Sequence, residues 1–342
     1  MTIQTTPTSS TATFRVLSKA GFPRAYIERL LPEWWDNELL KTSAGAVQFA
    51  LILQQRLGLE LRFDESGSLS VGRMSAEGRF KHRSDTSEDE LGVSANLGWA
   101  LAKLATFGIE KEYTPLPSNP LEVRNALLKR TSNKIINLDS LLDLCWFHGI
   151  PVIYLNNVPR SKKKMTGMAV LSNGRPAIIL GHKDDQCARQ LFVLAHELGH
   201  IACGHLHNNS ILLDEDLQEI KETLAEESFQ DAEENEADNF ALSLLRGSVD
   251  NLLRNIKRQK SAAALAVAAS EIGSQLHVDP GHILMSYARE HQDWAKANLA
   301  LNFHPDSRGA LKKIKNSFEK NFKSESLSQE NMEYLLEAQG LK

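Results

Sequence analysis

The sequence predicts an α+β protein, a small sheet with a hairpin packed on one central helix and all-helical segments on either side. Three observations carry this. Two β-type runs, MTGMAVL from Met165 and RPAIIL from Arg175, are separated by Ser172-Asn173-Gly174, a strong hairpin signal. An apolar helix over about residues 185–205 follows them, with LFVLAHELGH at its centre. Apolar residues also recur at helical spacing before Asp64 and again from Gly247 onward.

In chain order, residues 1–13 are Thr- and Ser-rich and read as a disordered tail, with no apolar stretch after them to make a signal peptide. Residues 14–112 read as a helical domain. Helical spacing is clear in YIERLL and AVQFALILQQRLGL, so helix is expected as far as Asp64, with a polar turn over 65–72. Glu90 to Gly108 is expected as one long helix with a buried face. Three prolines between Tyr113 and Pro120 mark a boundary, and 119–246 forms the central domain. Within it, Asn137 to Ile150 reads as a helix capped by Asn137 and stopped by Gly149. Pro151 to Leu155 reads as a strand, and a second helix runs through Leu245 after an acidic stretch. The last segment, 247–342, reads as helical, with Asp279-Pro280 suited to a cap and first helical position.

A chain of 342 residues, 42% hydrophobic and 24% charged, can fill two or three domain cores. Its net charge of -4 implies neither nucleic acid nor an anionic membrane as partner. No apolar run approaches the roughly 20 residues of a membrane-spanning helix. The N-terminal helices have a helix-turn-helix-like rhythm, yet from Phe14 to Glu65 seven Lys/Arg stand against seven Asp/Glu. A groove binder shows a basic face, so direct nucleic-acid binding is disfavoured and a protein-interaction or autoinhibitory role is expected. Cys145, Cys187 and Cys203 are widely spaced and odd in number, which fits a reducing cytoplasm better than a disulfide framework.

The chemistry concentrates in His196-Glu197-Leu198-Gly199-His200. Two His four residues apart on a helix lie about 40° apart around its axis, so both imidazoles point the same way and can hold one Zn²⁺. Glu197 then stands beside the metal, placed to take a proton from water as general base. The bland alternative is a helix with two core-facing His satisfied by carboxylates. A catalytic zinc needs a third protein ligand. The pattern that supplies it from a third His six residues on fails, because Leu206 is there; His205 and His207 miss the register and read as surface residues or as partners of a ligand. Glu234 is the better candidate. On a helical wheel of about 100° per residue, Ala237, Asp238, Ala241 and Leu245 share its face, whereas Glu236 falls on the polar far side. Asp238, one turn on, can orient a ligand His through its second ring N–H. The hairpin strands, through Ala169, Val170 and Ile178, could offer an edge to an extended substrate. No oxyanion donor stands out: His148, His182 and Arg189 are candidates, but a surface or packing role is favoured for each. Cys203 reads as a small buried thiol.

Together, TGMAVLSNGRPAIILGHKDDQCARQLFVLAHELGHIACGH and ENEADNFALSLL resemble the ImmA/IrrE family of metallo-endopeptidases over roughly Asn119 to Leu245. The resemblance implies a gluzincin-like domain, with His196, His200 and Glu234 as ligands of one Zn²⁺ and Glu197 as general base. Mn²⁺ or Fe²⁺ would suit the same ligand set. It also implies a regulatory protease that cuts a helix-turn-helix repressor or antitoxin-like protein in stress, phage or mobile-element control. Two features depart from the family. Leu244-Leu245 is followed by Arg246-Gly247 rather than Met-Pro, and the segment between the two helices is long and acidic. The competing readings are a non-catalytic zinc-braced binding module and a transcription regulator.

Overall fold

The computed structural model describes residues 10–64, 66–72, 77–81, 88–131, 134–159, 165–181, 183–207, 210–214, 229–247 and 256–341. The first helix, α1 (Ser10–Lys19), begins inside the expected tail, because Thr13, Phe14 and Leu17 turn one buried face inward. It is followed by α2 (Arg24–Leu30), a 3₁₀ turn at Asn37–Lys41, and α3 (Ser43–Leu57), whose N-cap Thr42 accepts from the Gly45 amide. Helix does not reach Asp64. Gly58, at φ 65°, ends α3 in the left-handed region. The chain then forms strand β1 (Glu60–Phe63), antiparallel to β2 (Leu69–Gly72). The Asp64 side chain accepts from the amides of Ser66 and Ser68 and closes the loop between them. The expected polar turn is therefore half turn and half strand.

A short strand, β3 (Glu77–Lys81), precedes the long helix α4 (Glu88–Gly108). Beyond the proline-rich segment come α5 (Pro120–Arg130) and α6 (Leu138–Phe147). The Asn137 cap of α6 forms a reciprocal capping box with Ser140. Next are β4 (Val152–Tyr154), β5 (Gly167–Ser172), β6 (Arg175–Leu180), α7 (Cys187–Ala202), β7 (Ser210–Asp214) and α8 (Phe229–Arg246). The chain closes with α9 (Ala262–Leu276), α10 (Pro280–His291), α11 (Trp294–Leu301), α12 (Ala310–Asn321) and α13 (Gln329–Gln339). Asn173 and Gly174, at φ 51° and 75°, make the two-residue hairpin loop between β5 and β6. The fold is α+β and mostly helical. Among the described residues no helix is long and apolar enough to cross a membrane.

The larger sheet has the order β3-β7-β5-β6-β4. Strands β5 and β6 are antiparallel, β4 runs parallel to β6, and β7 pairs antiparallel with β5 through Gly167↔Asp214. Strand alternation splits its side chains between two cores. Met168, Val170, Ala177, Ile179 and Ile153 face Leu97, Leu101 and Ala105 of α4. Ala169, Ile178, Leu180, Val152 and Tyr154 face Leu191, Leu194 and Leu198 of α7. The sheet thus lies between helices, which is why its strands are apolar on both faces. The first core also gathers Phe14, Leu17, Ile27, Phe49 and Leu53 with Phe318 of α12, Phe322 just past its end, and Leu335 of α13. A third core joins α9, α10 and α11 around Leu265, Ile283 and Tyr287.

Candidate metal centre

The site is built where α7 crosses α8. Gly199 and Ala237 meet at the crossing, and a Cβ on Gly199 would stand 2.9 Å from the Ala237 carbonyl oxygen. That close approach lets Glu234, one turn before Ala237, reach the two imidazoles of α7. His196 and His200 are fully buried, and Glu234 is nearly so. The Nε2 atoms of the two His lie 3.0 Å apart. The Glu234 carboxylate places Oε2 at 3.4 Å from His196 Nε2 and Oε1 at 3.5 Å from His200 Nε2.

The outer ring nitrogens determine what these inner atoms can do. His196 Nδ1 is 2.8 Å from Asp238 Oδ1. A carboxylate only accepts, so in the neutral ring the proton sits on Nδ1 and Nε2 carries a lone pair. On the other side, His205 Nε2 is 3.1 Å from Glu236 Oε2, and His205 Nδ1 is 2.9 Å from His200 Nδ1. His205 Nε2 donates to the Glu236 carboxylate, so in the neutral ring His205 Nδ1 accepts from His200 Nδ1, and His200 Nε2 is also left with a lone pair. Two imidazole lone pairs and a carboxylate therefore converge on one point. Ligands about 2.0–2.1 Å from a tetrahedral ion stand roughly 3.3 Å from one another, and the observed spacings bracket that value. His196, His200 and Glu234 are positioned to bind a metal ion.

Glu197 is fully buried, with its carboxylate packed against the start of β5. A Cβ on Gly167 would lie 2.1 Å from Glu197 Oε1, so only glycine leaves room for this carboxylate. The sequence reading did not single out Gly167, though a glycine opening an apolar strand signals close approach. It also missed His282. Phe192 stands between His196 and His282, with ring centroids 6.4 Å from each. Buried His282 accepts from Arg246 Nε at 2.9 Å. Burial, followed by the Arg246 and Arg124 guanidinium charges, holds its pKa well below the usual 6.5.

Several expected roles are corrected. Strands β5 and β6 are both interior, and Ala169, Val170 and Ile178 are completely buried, so they offer no edge to an extended substrate. The sheet edges are β3 and β4. For His148, which hydrogen-bonds Thr114, and Arg189, which pairs with Asp184 at 3.1 Å, the contacts are of the surface and packing kind favoured for them. His182 lies outside the described residues. Cys203 is half-buried at the end of α7 rather than fully buried. Of the two His that miss the helical register, His205 is buried against His200, whereas His207 is exposed.

Residues 187–278 match the family model Peptidase U49. The matched span begins at the first residue of α7, includes α8, and ends two residues past α9. The match supports a peptidase, and His196, Glu197, His200, His205, Glu234, Glu236 and Asp238 lie inside it, whereas Gly167 and His282 lie outside. No curated protein matches the chain.

Proposed function

We propose that this chain is a zinc-dependent metallo-endopeptidase with a regulatory protein as its substrate. The observation that carries this is the convergence of two imidazole lone pairs and one carboxylate at 3.0–3.5 Å, with Glu197 next in the chain to a ligand. His196, His200 and Glu234 hold the ion. A bound zinc supplies Lewis acidity that polarises a peptide carbonyl and makes water more acidic. Asp238 and His205 fix the imidazole tautomers, so both Nε2 atoms stay available. Glu197 takes the proton of the attacking water on a carboxylate oxygen and delivers one to the leaving nitrogen. Its burial against Gly167 limits where that carboxylate can go. The resemblance of the HELGH and ENEADNFALSLL segments to ImmA/IrrE enzymes supports a gluzincin-like domain. It also favours a cytoplasmic role in which the partner cut is a helix-turn-helix repressor.

Metal content and cleavage test the proposal together. At one equivalent of zinc in the presence of a competing chelator, the wild type and Glu236→Ala are expected to hold the ion and Glu234→Ala to lose it. Glu197→Gln is expected to keep that ion and its fold while losing every cleavage that the wild type makes in a proteome-derived peptide library. Equal cleavage by Glu197→Gln would reject the mechanism and leave zinc as a structural brace. Zinc held by Glu234→Ala against that chelator as tightly as by the wild type would reject the ligand set.

A further inference from the structure

A second group of ligand-type side chains sits at the C-terminal end of α7. Cys203 is the last residue of that helix turn, and the next turn carries His205 back beneath it, its amide bonded to the His200 carbonyl at 3.0 Å. Glu236 reaches in from α8. One ligand atom from each of the three, a sulfur, a ring nitrogen and a carboxylate oxygen, lies within 4.8 Å of the others. His205 Nε2 is 3.1 Å from Glu236 Oε2, and the Cys203 sulfur lies within 4.8 Å of both ligand atoms. His205 is buried, while the Glu236 side chain is 63% exposed, so the group opens to solvent on one side.

Sulfur, imidazole and carboxylate at this spacing form a zinc-type donor set with room for water as a fourth ligand. We propose that Cys203, His205 and Glu236 form a second divalent-cation site, selective for zinc or another thiol-seeking ion. The Nε2 proton that His205 now donates to Glu236 is one that a cation displaces. Burial and the adjacent Glu236 carboxylate push the Cys203 thiol up to about 11. Loading therefore releases a thiol proton and needs more metal than the first site does.

The second site is coupled to the first through one hydrogen bond. His200 Nδ1 and His205 Nδ1 are 2.9 Å apart and share a single proton. With a cation on His205 Nε2, the neutral ring carries its proton on Nδ1 and meets the Nδ1 proton of His200. One ring has to turn away, so the second ion weakens the first. This antagonism rests on the assignment of His200 as a ligand in the proposed function. The second site does not.

Cobalt titration of the full chain tests both statements. Cobalt on His196, His200 and Glu234 meets no thiolate, whereas cobalt on Cys203 adds a thiolate-to-metal charge-transfer band in the near ultraviolet. The band is expected to grow with the second equivalent and to vanish in both Cys203→Ala and Cys203→Ser. It is expected to survive in Cys187→Ala and in Glu234→Ala. Absence of the band at saturating cobalt in the wild type, or its persistence in Cys203→Ala, overturns the site. For the coupling, excess zinc is expected to inhibit cleavage by the wild type, with Cys203→Ala tolerating at least about tenfold more. Equal inhibition of the two proteins overturns the antagonism and leaves the cobalt result standing.

Discussion

Asp238→Ala isolates the part of the centre that sets imidazole chemistry without touching a ligand. In the wild type, Asp238 Oδ1 holds the Nδ1 proton of fully buried His196 at 2.8 Å, and the Asp238 side chain is itself only 14% exposed. Removing the carboxylate takes away both the acceptor that fixes the tautomer and a negative charge that raises the basicity of Nε2. Loss of such an outer partner costs about 10- to 100-fold in metal affinity, equivalent to roughly 1.4–2.7 kcal/mol. Asp238→Asn keeps an acceptor oxygen without the charge and is expected within about tenfold of the wild type. Competition against a chromophoric chelator measures each dissociation constant directly, with no substrate needed. Zinc affinity in Asp238→Ala equal to the wild type, alongside clear loss in His196→Ala, would refute the reasoning. The 2.8 Å contact would then be incidental to which nitrogen faces the metal.

Three other outcomes follow from particular contacts. Gly167→Ala drives a methyl group to within 2.1 Å of Glu197 Oε1, so the carboxylate has to move by more than 1 Å; cleavage is expected to fall about 100-fold with metal content unchanged, read by library digestion and metal analysis of the same sample. Gly199→Val wedges α7 from the Ala237 backbone, which lies 2.9 Å from the added Cβ. Chemical denaturation should register a loss of about 1–3 kcal/mol, and chelator competition a weaker metal site. For His282, the folded ring stays neutral well below pH 6.5 while the unfolded ring titrates near 6.5. Its contribution to stability is therefore complete above that pH and declines as pH falls through it, by at most about 1.4 kcal/mol per pH unit. Denaturant melts of metal-free His282→Gln between pH 7 and 5 are expected to show a shallower slope than the wild type.

What the sequence made legible was local. The two His of α7 could be read because helical periodicity alone places residues four apart on one face. Asn173-Gly174 could be read because few residues other than Asn and Gly take two successive positive φ angles. The preference for Glu234 over Glu236 followed from the same periodicity: Glu234 turns to α7, and Glu236 is largely exposed. That wheel argument stops where the helix stops. His205 lies past the end of α7, and its place against His200 depends on the turn after Cys203 rather than on any period. A glycine at the start of β5 signals a close approach but not what approaches. Its role comes from a contact between β5 and α7, formed only after the sheet has packed on the helix. The hairpin was wrongly given a free edge because an edge is a property of the whole sheet. Strand β7 comes from beyond α7 and covers β5, and β4 comes from before the hairpin and covers β6. A hint was nonetheless present in the unbroken apolar runs of these strands. A hairpin with an accessible face alternates polar and apolar residues, whereas Ala169-Val170-Leu171 and Ala177-Ile178-Ile179-Leu180 do not, and two-sided burial is what such runs report.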